Sequence, residues 1–123
     1  MGITTHAIVE QHYEQSESVR GGWGELATFY FGKAYALQRV VYALADDGWP
    51  ADSSALTDPA YEFSDEGRRW CLAETALSAK WWAKLKSDRD VASWEPDEFD
   101  GMLCAIKAWT IHGKRLRVLW YTG

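Results

Sequence analysis

Three long segments carry apolar residues at the roughly 3.6-residue period of an amphipathic helix, and this pattern constrains the fold more than any other feature of the sequence. They span residues 23–47, about 65–86 and 93–112. The first is apolar nearly all round, which predicts a central and largely covered helix. In the second, a stripe containing Trp81 and Leu85 predicts the side facing the core. Trp82 lies about 100° from that stripe, so it must find a second neighbour or stay partly exposed.

The third segment has the clearest helix boundaries. Ser93 suits the N-cap position, and Pro96 is tolerated in the first turn. Gly113 is a natural C-terminal stop. The core-facing stripe that this helix predicts consists of Phe99, Met102, Leu103, Ile106 and Trp109.

The two ends of the chain are compatible with either helix or strand. In residues 3–13 apolar and polar residues partly alternate, and residues 115–120 form a short apolar run with two arginines. The sequence therefore predicts an all-α fold, a small single-domain helical bundle of three to four helices covering residues 1–123. The alternative is an α+β fold with a short terminal strand pair.

The eight tryptophans indicate how the core of such a domain is filled. Each aromatic side chain can bury about 150–250 Å², so eight of them could form most of the core of a chain of 123 residues. We expect most of them inside and one or two exposed as binding anchors, because Trp is enriched at interaction hot spots.

No motif for catalysis, cofactor binding or metal binding is present. His6, Glu10, His12 and Glu14 lie close together but match no known ligand spacing, and a solvated polar face explains them better. Cys71 and Cys104 have no partner at metal-ligand spacing and are predicted to be buried, reduced thiols. The sequence thus predicts no catalytic residue, no cofactor and no metal, and a protein that is not an enzyme.

The charge is unevenly distributed along the chain. The net charge is −5, and residues 40–66 hold seven acids and no Lys or Arg. Residues 88–100 hold six more acids against Arg89 alone. Aromatic residues among carboxylates are expected of a patch that docks on a basic protein, with the rings as anchors and the acids as rim. The predicted protein-binding residues are Asp46, Asp47, Trp49, Asp52, Asp58, Tyr61, Glu62, Phe63, Asp65, Glu66 and Trp82.

These features predict a non-enzymatic protein-binding module that occupies a basic site on another protein, such as a nucleic-acid-handling complex. By analogy of size and charge, the first interpretation is a small phage or mobile-element inhibitor of the anti-CRISPR or anti-defence type. The alternatives are a helical bundle that binds or transforms a small molecule, a toxin-immunity protein and a structural homo-oligomer. Direct nucleic-acid binding is disfavoured by phosphate repulsion. No membrane association is expected, the predicted location is cytoplasmic, and a homodimer is left open.

Overall fold

The structure is a computed structural model that describes residues 4–18, 21–61 and 67–123, and its central element is a five-stranded antiparallel sheet. The strand order is β2-β1-β5-β4-β3, so the last strand in the sequence lies in the middle of the sheet. The strands are β1 (Thr5–Tyr13), β2 (Gly22–Gly32), β3 (Asp46–Asp47), β4 (Arg68–Leu72) and β5 (Leu116–Thr122).

Among the described residues, four helices pack on one face of this sheet, and an irregular segment covers the other. The helices are α1 (Tyr35–Leu44), α2 (Ala73–Ala76), α3 (Ala79–Ser87) and α4 (Trp94–Ile111). The opposite face is covered by residues 48–61, which include two 3-10 turns at Ser54–Thr57 and Pro59–Tyr61. The molecule therefore has a main core between sheet and helices and a smaller core under the covering segment.

The prediction of an all-α helical bundle is wrong, and the first predicted helix shows why. Only α1 is helical within residues 23–47, whereas most of the first half belongs to β2. Gly32, with φ at 61°, ends the strand in a conformation that favours glycine. Both faces of β2 are covered in part by other elements, so its residues are apolar on both sides. Periodicity alone cannot distinguish such a strand from a buried helix.

The second predicted helix is also divided. Its beginning is strand β4, and the helical part is split into α2 and α3. Trp81 and Leu85 are fully buried, so the core-facing side of α3 was predicted correctly. The third prediction is confirmed, because α4 covers nearly the whole predicted segment and its stripe from Phe99 to Ile106 faces the core.

The two ends of the chain pair with each other. β1 and β5 are antiparallel neighbours, with Ala7 opposite Trp120 and Val9 opposite Val118. The alternative of a terminal strand pair was therefore correct for these two elements, but it missed β2, β3 and β4. Within the described ranges, no helix has the length and apolar character needed to span a membrane.

Candidate functional site

The acids predicted to form a docking patch in residues 46–66 partly serve contacts within the protein. Asp46 and Asp47 form the short edge strand β3, and Asp47 pairs with Arg69 at 3.0 Å. Asp52 accepts a hydrogen bond from Arg117. Asp58 accepts one from the backbone N–H of Ala60. Asp46 and Asp47 remain exposed.

The aromatic residues of the same segment cover the sheet. Trp49 is only 9% exposed, and its indole N–H donates to the carbonyl oxygen of Trp120 at 2.9 Å. Tyr61 is half-buried and packs edge-on against Trp49 and Tyr121. These two rings are therefore oriented inward rather than presented as anchors. Glu62, Phe63, Asp65 and Glu66 lie outside the described residues.

A buried charge network holds this covering segment against the sheet. Glu10 on β1 is fully buried, and Arg117 on β5 donates to it at 2.7 Å. Ser53 donates to the other carboxylate oxygen of Glu10 at 2.8 Å, and the guanidinium of Arg117 also reaches Asp52 at 2.9 Å. The Arg117 guanidinium lies 4.1 Å from the centre of the Trp23 ring. The prediction that Glu10 belongs to a solvated polar face is thus wrong.

Trp82, the remaining predicted binding residue, packs at the margin of the main core. Its ring stacks on Phe99 with centroids 6.4 Å apart, and the ammonium of Lys86 lies 5.7 Å from its centre. Phe99 is the second neighbour that the sequence required for this side chain. Trp82 is half-buried and packs against the main core, not among the residues of the covering segment.

An exposed acidic and aromatic groove occurs instead between the start of α4 and strand β2. It has a volume of about 610 Å³, and the Trp94 side chain in its wall is 41% exposed. Asp97 and Glu98 are exposed beside it. The lining residues are Phe29, Trp94, Asp97, Glu98, Gly101 and Met102. Neither a lysine nor an arginine is among them.

Glu95 positions Trp94 in this groove. The Glu95 side chain is 2% exposed, and one of its carboxylate oxygens accepts from the backbone N–H groups of Ala36 and Leu37 at the start of α1. The other oxygen accepts from the N–H of Ala92. Because neighbouring helical residues point about 100° apart, fixing Glu95 toward α1 turns Trp94 outward. In the sequence, Glu95 is distinguished only as one of the six acids of residues 88–100.

The two cysteines occupy opposite environments. Both are free; Cys71 is buried and Cys104 is exposed, so the prediction of two buried thiols is wrong for Cys104. Burial raises the pKa of the Cys71 thiol to about 12. The thiolate is the reactive form, so Cys71 is inert in the folded protein.

We therefore expect one of the two thiols to react rapidly with an aromatic disulfide reagent at about pH 8, because the Cys104 side chain is accessible to the reagent. The second should react only after unfolding. The absorbance of the aromatic thiolate released by the reagent measures both the rapid phase and the phase that follows unfolding. The Cys104→Ser variant is the control and should show no rapid phase; a rapid phase in that variant would contradict the assignment.

Potential metal ligands are dispersed in the described part of the chain. It contains no group of three or more His, Cys, Asp or Glu side chains placed to hold a metal ion. His6 shares a strand face with Glu10, but its nearest ring neighbours are Tyr30 and Tyr121. Burial lowers the pKa of His6, which favours its neutral form.

Comparison with known proteins does not place this chain in a family. No protein family, curated protein or solved structure matches it. Neither the fold nor these comparisons support an assignment to phage or anti-CRISPR inhibitors. The groove beside Trp94 is therefore the surface feature that bears most directly on function.

Proposed function

We propose that this protein is a non-enzymatic binding module that recognises a basic region of another protein through the groove between α4 and β2. The observation that carries the proposal is the partly exposed Trp94 ring next to two exposed carboxylates, Asp97 and Glu98. An aromatic ring and a carboxylate together suit a lysine or arginine side chain, which can stack on the ring while its charge is paired.

The charge of the surrounding elements supports a basic partner. Residues 90–106 contain five acids and no Lys or Arg, and β2 contains Glu25 as its only charged residue. Both walls of the groove therefore lack a positive charge of their own. Complementary potential of this kind speeds encounter and selects among partners.

Trp94 and its acidic neighbours have the composition that the sequence analysis expected of a docking patch. They lie in the second acidic segment, residues 88–100, and not in the first, residues 40–66. Trp49 and Tyr61 in the first segment are used to cover the sheet. Trp94 in the second segment follows the same pattern of a ring among acids and is exposed. The signal in the sequence was the run of acids in residues 88–100, which surrounds this single tryptophan.

Affinity capture with mass spectrometry, at low and moderate salt, tests the proposal in extracts of the cell of origin. The baits are the wild-type protein, Trp94→Ala, Glu98→Lys and Asp46→Lys. Asp46 is an exposed acid on β3, so Asp46→Lys is a matched charge change on the segment first predicted to bind. We expect a protein with a basic surface to be recovered by the wild type and by Asp46→Lys. Its recovery should fall with Trp94→Ala and Glu98→Lys.

Salt dependence separates specific charge pairing from general adhesion. Exposed charges are screened over about 10 Å at 0.1 M salt, so capture should weaken as salt rises. Capture that is lost with Asp46→Lys and retained with Glu98→Lys would place the contact on the first acidic segment and contradict the proposal. Equal recovery by all four baits would also contradict it.

A further inference from the structure

Strand β2 forms one edge of the sheet, and its Phe29 lines the groove. β2 is the first strand in the sheet order, and within the described residues only β1 pairs with it. Its 11 residues make it the longest strand of the sheet. An open edge of this kind presents unpaired backbone N–H and C=O groups to which another strand can add.

The register shows which backbone groups of β2 point outward. The N–H of His12 donates to the carbonyl oxygen of Arg115, so the backbone of His12 faces β5. Because this orientation alternates along a strand, Ile8 and His6 also face β5 and not β2. Their partners Thr28 and Tyr30 therefore direct their amides away from β1, toward the open edge. Both residues are exposed.

Only part of the β2 edge has features that discourage the addition of another strand. The pairing of β1 and β2 shifts register twice, between Thr5 and His6 at the start of β1 and between Val9 and Glu10 near its middle. Such bulges discourage the addition of another strand. Between the two shifts the register is regular, and residues 27–30 of β2 contain no charge and no proline. A short strand could pair there.

The charges near this edge favour a basic segment over a second copy of the protein. Glu25 is exposed on β2, while Asp97 and Glu98 lie in the groove beside Phe29. Strand β2 of a second copy would bring no Lys or Arg to these acids. A strand with lysine or arginine at alternate positions would present them on one side of the added strand, toward the groove.

We propose that the partner contributes an extended segment with Lys or Arg at alternate positions, which adds to the outer edge of β2 as a sixth strand. This inference rests on the proposed function and specifies how the same groove is used. Backbone hydrogen bonds to Thr28 and Tyr30 supply the pairing, and the basic side chains reach Trp94, Asp97 and Glu98. The protein therefore recognises its partner by the extended conformation of the segment together with its charge pattern.

The test uses a yeast-displayed library of random peptides about ten residues long, the upper range of an ordinary strand. The full-length wild-type protein is the bait, and the best enriched peptide is then measured by fluorescence anisotropy. We expect the enriched peptides to lack proline and to carry Lys or Arg at alternate positions. Enrichment of peptides with basic residues at helical spacing, or no enrichment at all, would overturn the inference.

The matched variants are Thr28→Pro and Thr28→Ala. Proline removes the outward N–H and is tolerated on an edge strand at such a position, whereas alanine removes the hydroxyl and keeps the N–H. We expect Thr28→Pro to weaken binding of the selected peptide about tenfold or more, and Thr28→Ala to change it little. Equal binding by the two variants would overturn strand addition.

The peptide backbone provides a second test that does not depend on how well Thr28→Pro folds. Methylation of single peptide amides should weaken binding at about every second position, because only alternate amides of a strand face its neighbour. A uniform effect along the peptide would overturn the inference. If Glu98→Lys abolishes binding while amide methylation has no effect, strand addition fails and the proposed function stands. If neither Glu98→Lys nor amide methylation changes binding, strand addition and the proposed function both fail.

Light scattering of the wild type and of Thr28→Pro tests the alternative that a second copy of the protein occupies the edge of β2. We expect both to be monomers. A wild-type dimer that dissociates in Thr28→Pro would show that a second copy occupies the edge, and the proposal of a basic partner segment would be overturned.

Discussion

Replacing Arg117 with methionine is expected to lower the free energy of unfolding by about 3–5 kcal/mol, because it leaves a buried carboxylate without its partner. Glu10 is fully buried, and the shortest hydrogen bond to its carboxylate is the 2.7 Å bond from Arg117. Urea denaturation at neutral pH, followed by circular dichroism, measures the change.

Two further variants separate the loss of the ion pair from a general effect of losing an arginine. Arg39→Met removes the exposed pair between Arg39 and Asp88, and surface pairs of this kind contribute about 0–1 kcal/mol. The double variant Glu10→Gln with Arg117→Met should be more stable than Arg117→Met alone, since no uncompensated charge is buried. A loss below about 1 kcal/mol for Arg117→Met would show that Glu10 is not held as a buried charge.

Replacing Trp120 with alanine is expected to lower the free energy of unfolding by about 3–5 kcal/mol through the cavity it leaves. Trp120 is completely buried on β5, and its ring stacks on Trp81 of α3 with centroids 5.6 Å apart and on Phe31 at 6.1 Å. It therefore links the sheet to the helical layer. Thermal and urea unfolding measure the loss, and Trp120→Phe should lose less because it fills part of the cavity.

Trp94→Ala is the matched control for the same residue type. Trp94 is 41% exposed, so its removal leaves no closed cavity and should change stability by less than about 1 kcal/mol. The two variants thus separate a tryptophan that stabilises the fold from one proposed to bind. A large loss of stability in Trp94→Ala would contradict its assignment to the binding groove.

The sequence predicted the elements whose apolar residues lie on one side. Helix α4 has a clear stripe and a clear start, so its bounds and its buried face were both correct. The stripe of α3 was correct for the same reason. In β5 all seven residues are buried, so its pattern has no period that could separate strand from helix.

The larger errors arose where structure depends on distant parts of the chain. Glu10 is separated by more than 100 residues from Arg117, the partner that makes its burial tolerable. From the sequence alone, an acid near two histidines is best interpreted as a solvated residue. Similarly, Trp49 and Tyr61 were predicted to be exposed because their neighbours are acidic, but the open face of the sheet gives them a surface to cover.

The binding patch predicted from the sequence and the proposed groove share a composition but lie in different acidic segments. An aromatic ring among acids describes Trp94 as well as it describes Trp49, and both acidic segments were recognised in the sequence. The outward direction of Trp94 follows from the hydrogen bonds that Glu95 accepts from Ala36 and Leu37 at the start of another helix. That contact crosses almost 60 positions and leaves no local signal in the sequence.

The central position of β5 affects how the chain can fold during synthesis. The ribosome makes β1 and β2 early, but the strand that lies between β1 and β4 emerges last. Until then the inner edge of β1 has no neighbour, and the buried arginine of β5 has not yet reached its carboxylate. The contact between β1 and β5 spans nearly the whole chain, and contacts of such high order slow folding. We therefore expect the sheet to assemble only after β5 has left the ribosome, and a nascent chain that still lacks β5 to be exposed to aggregation at that edge.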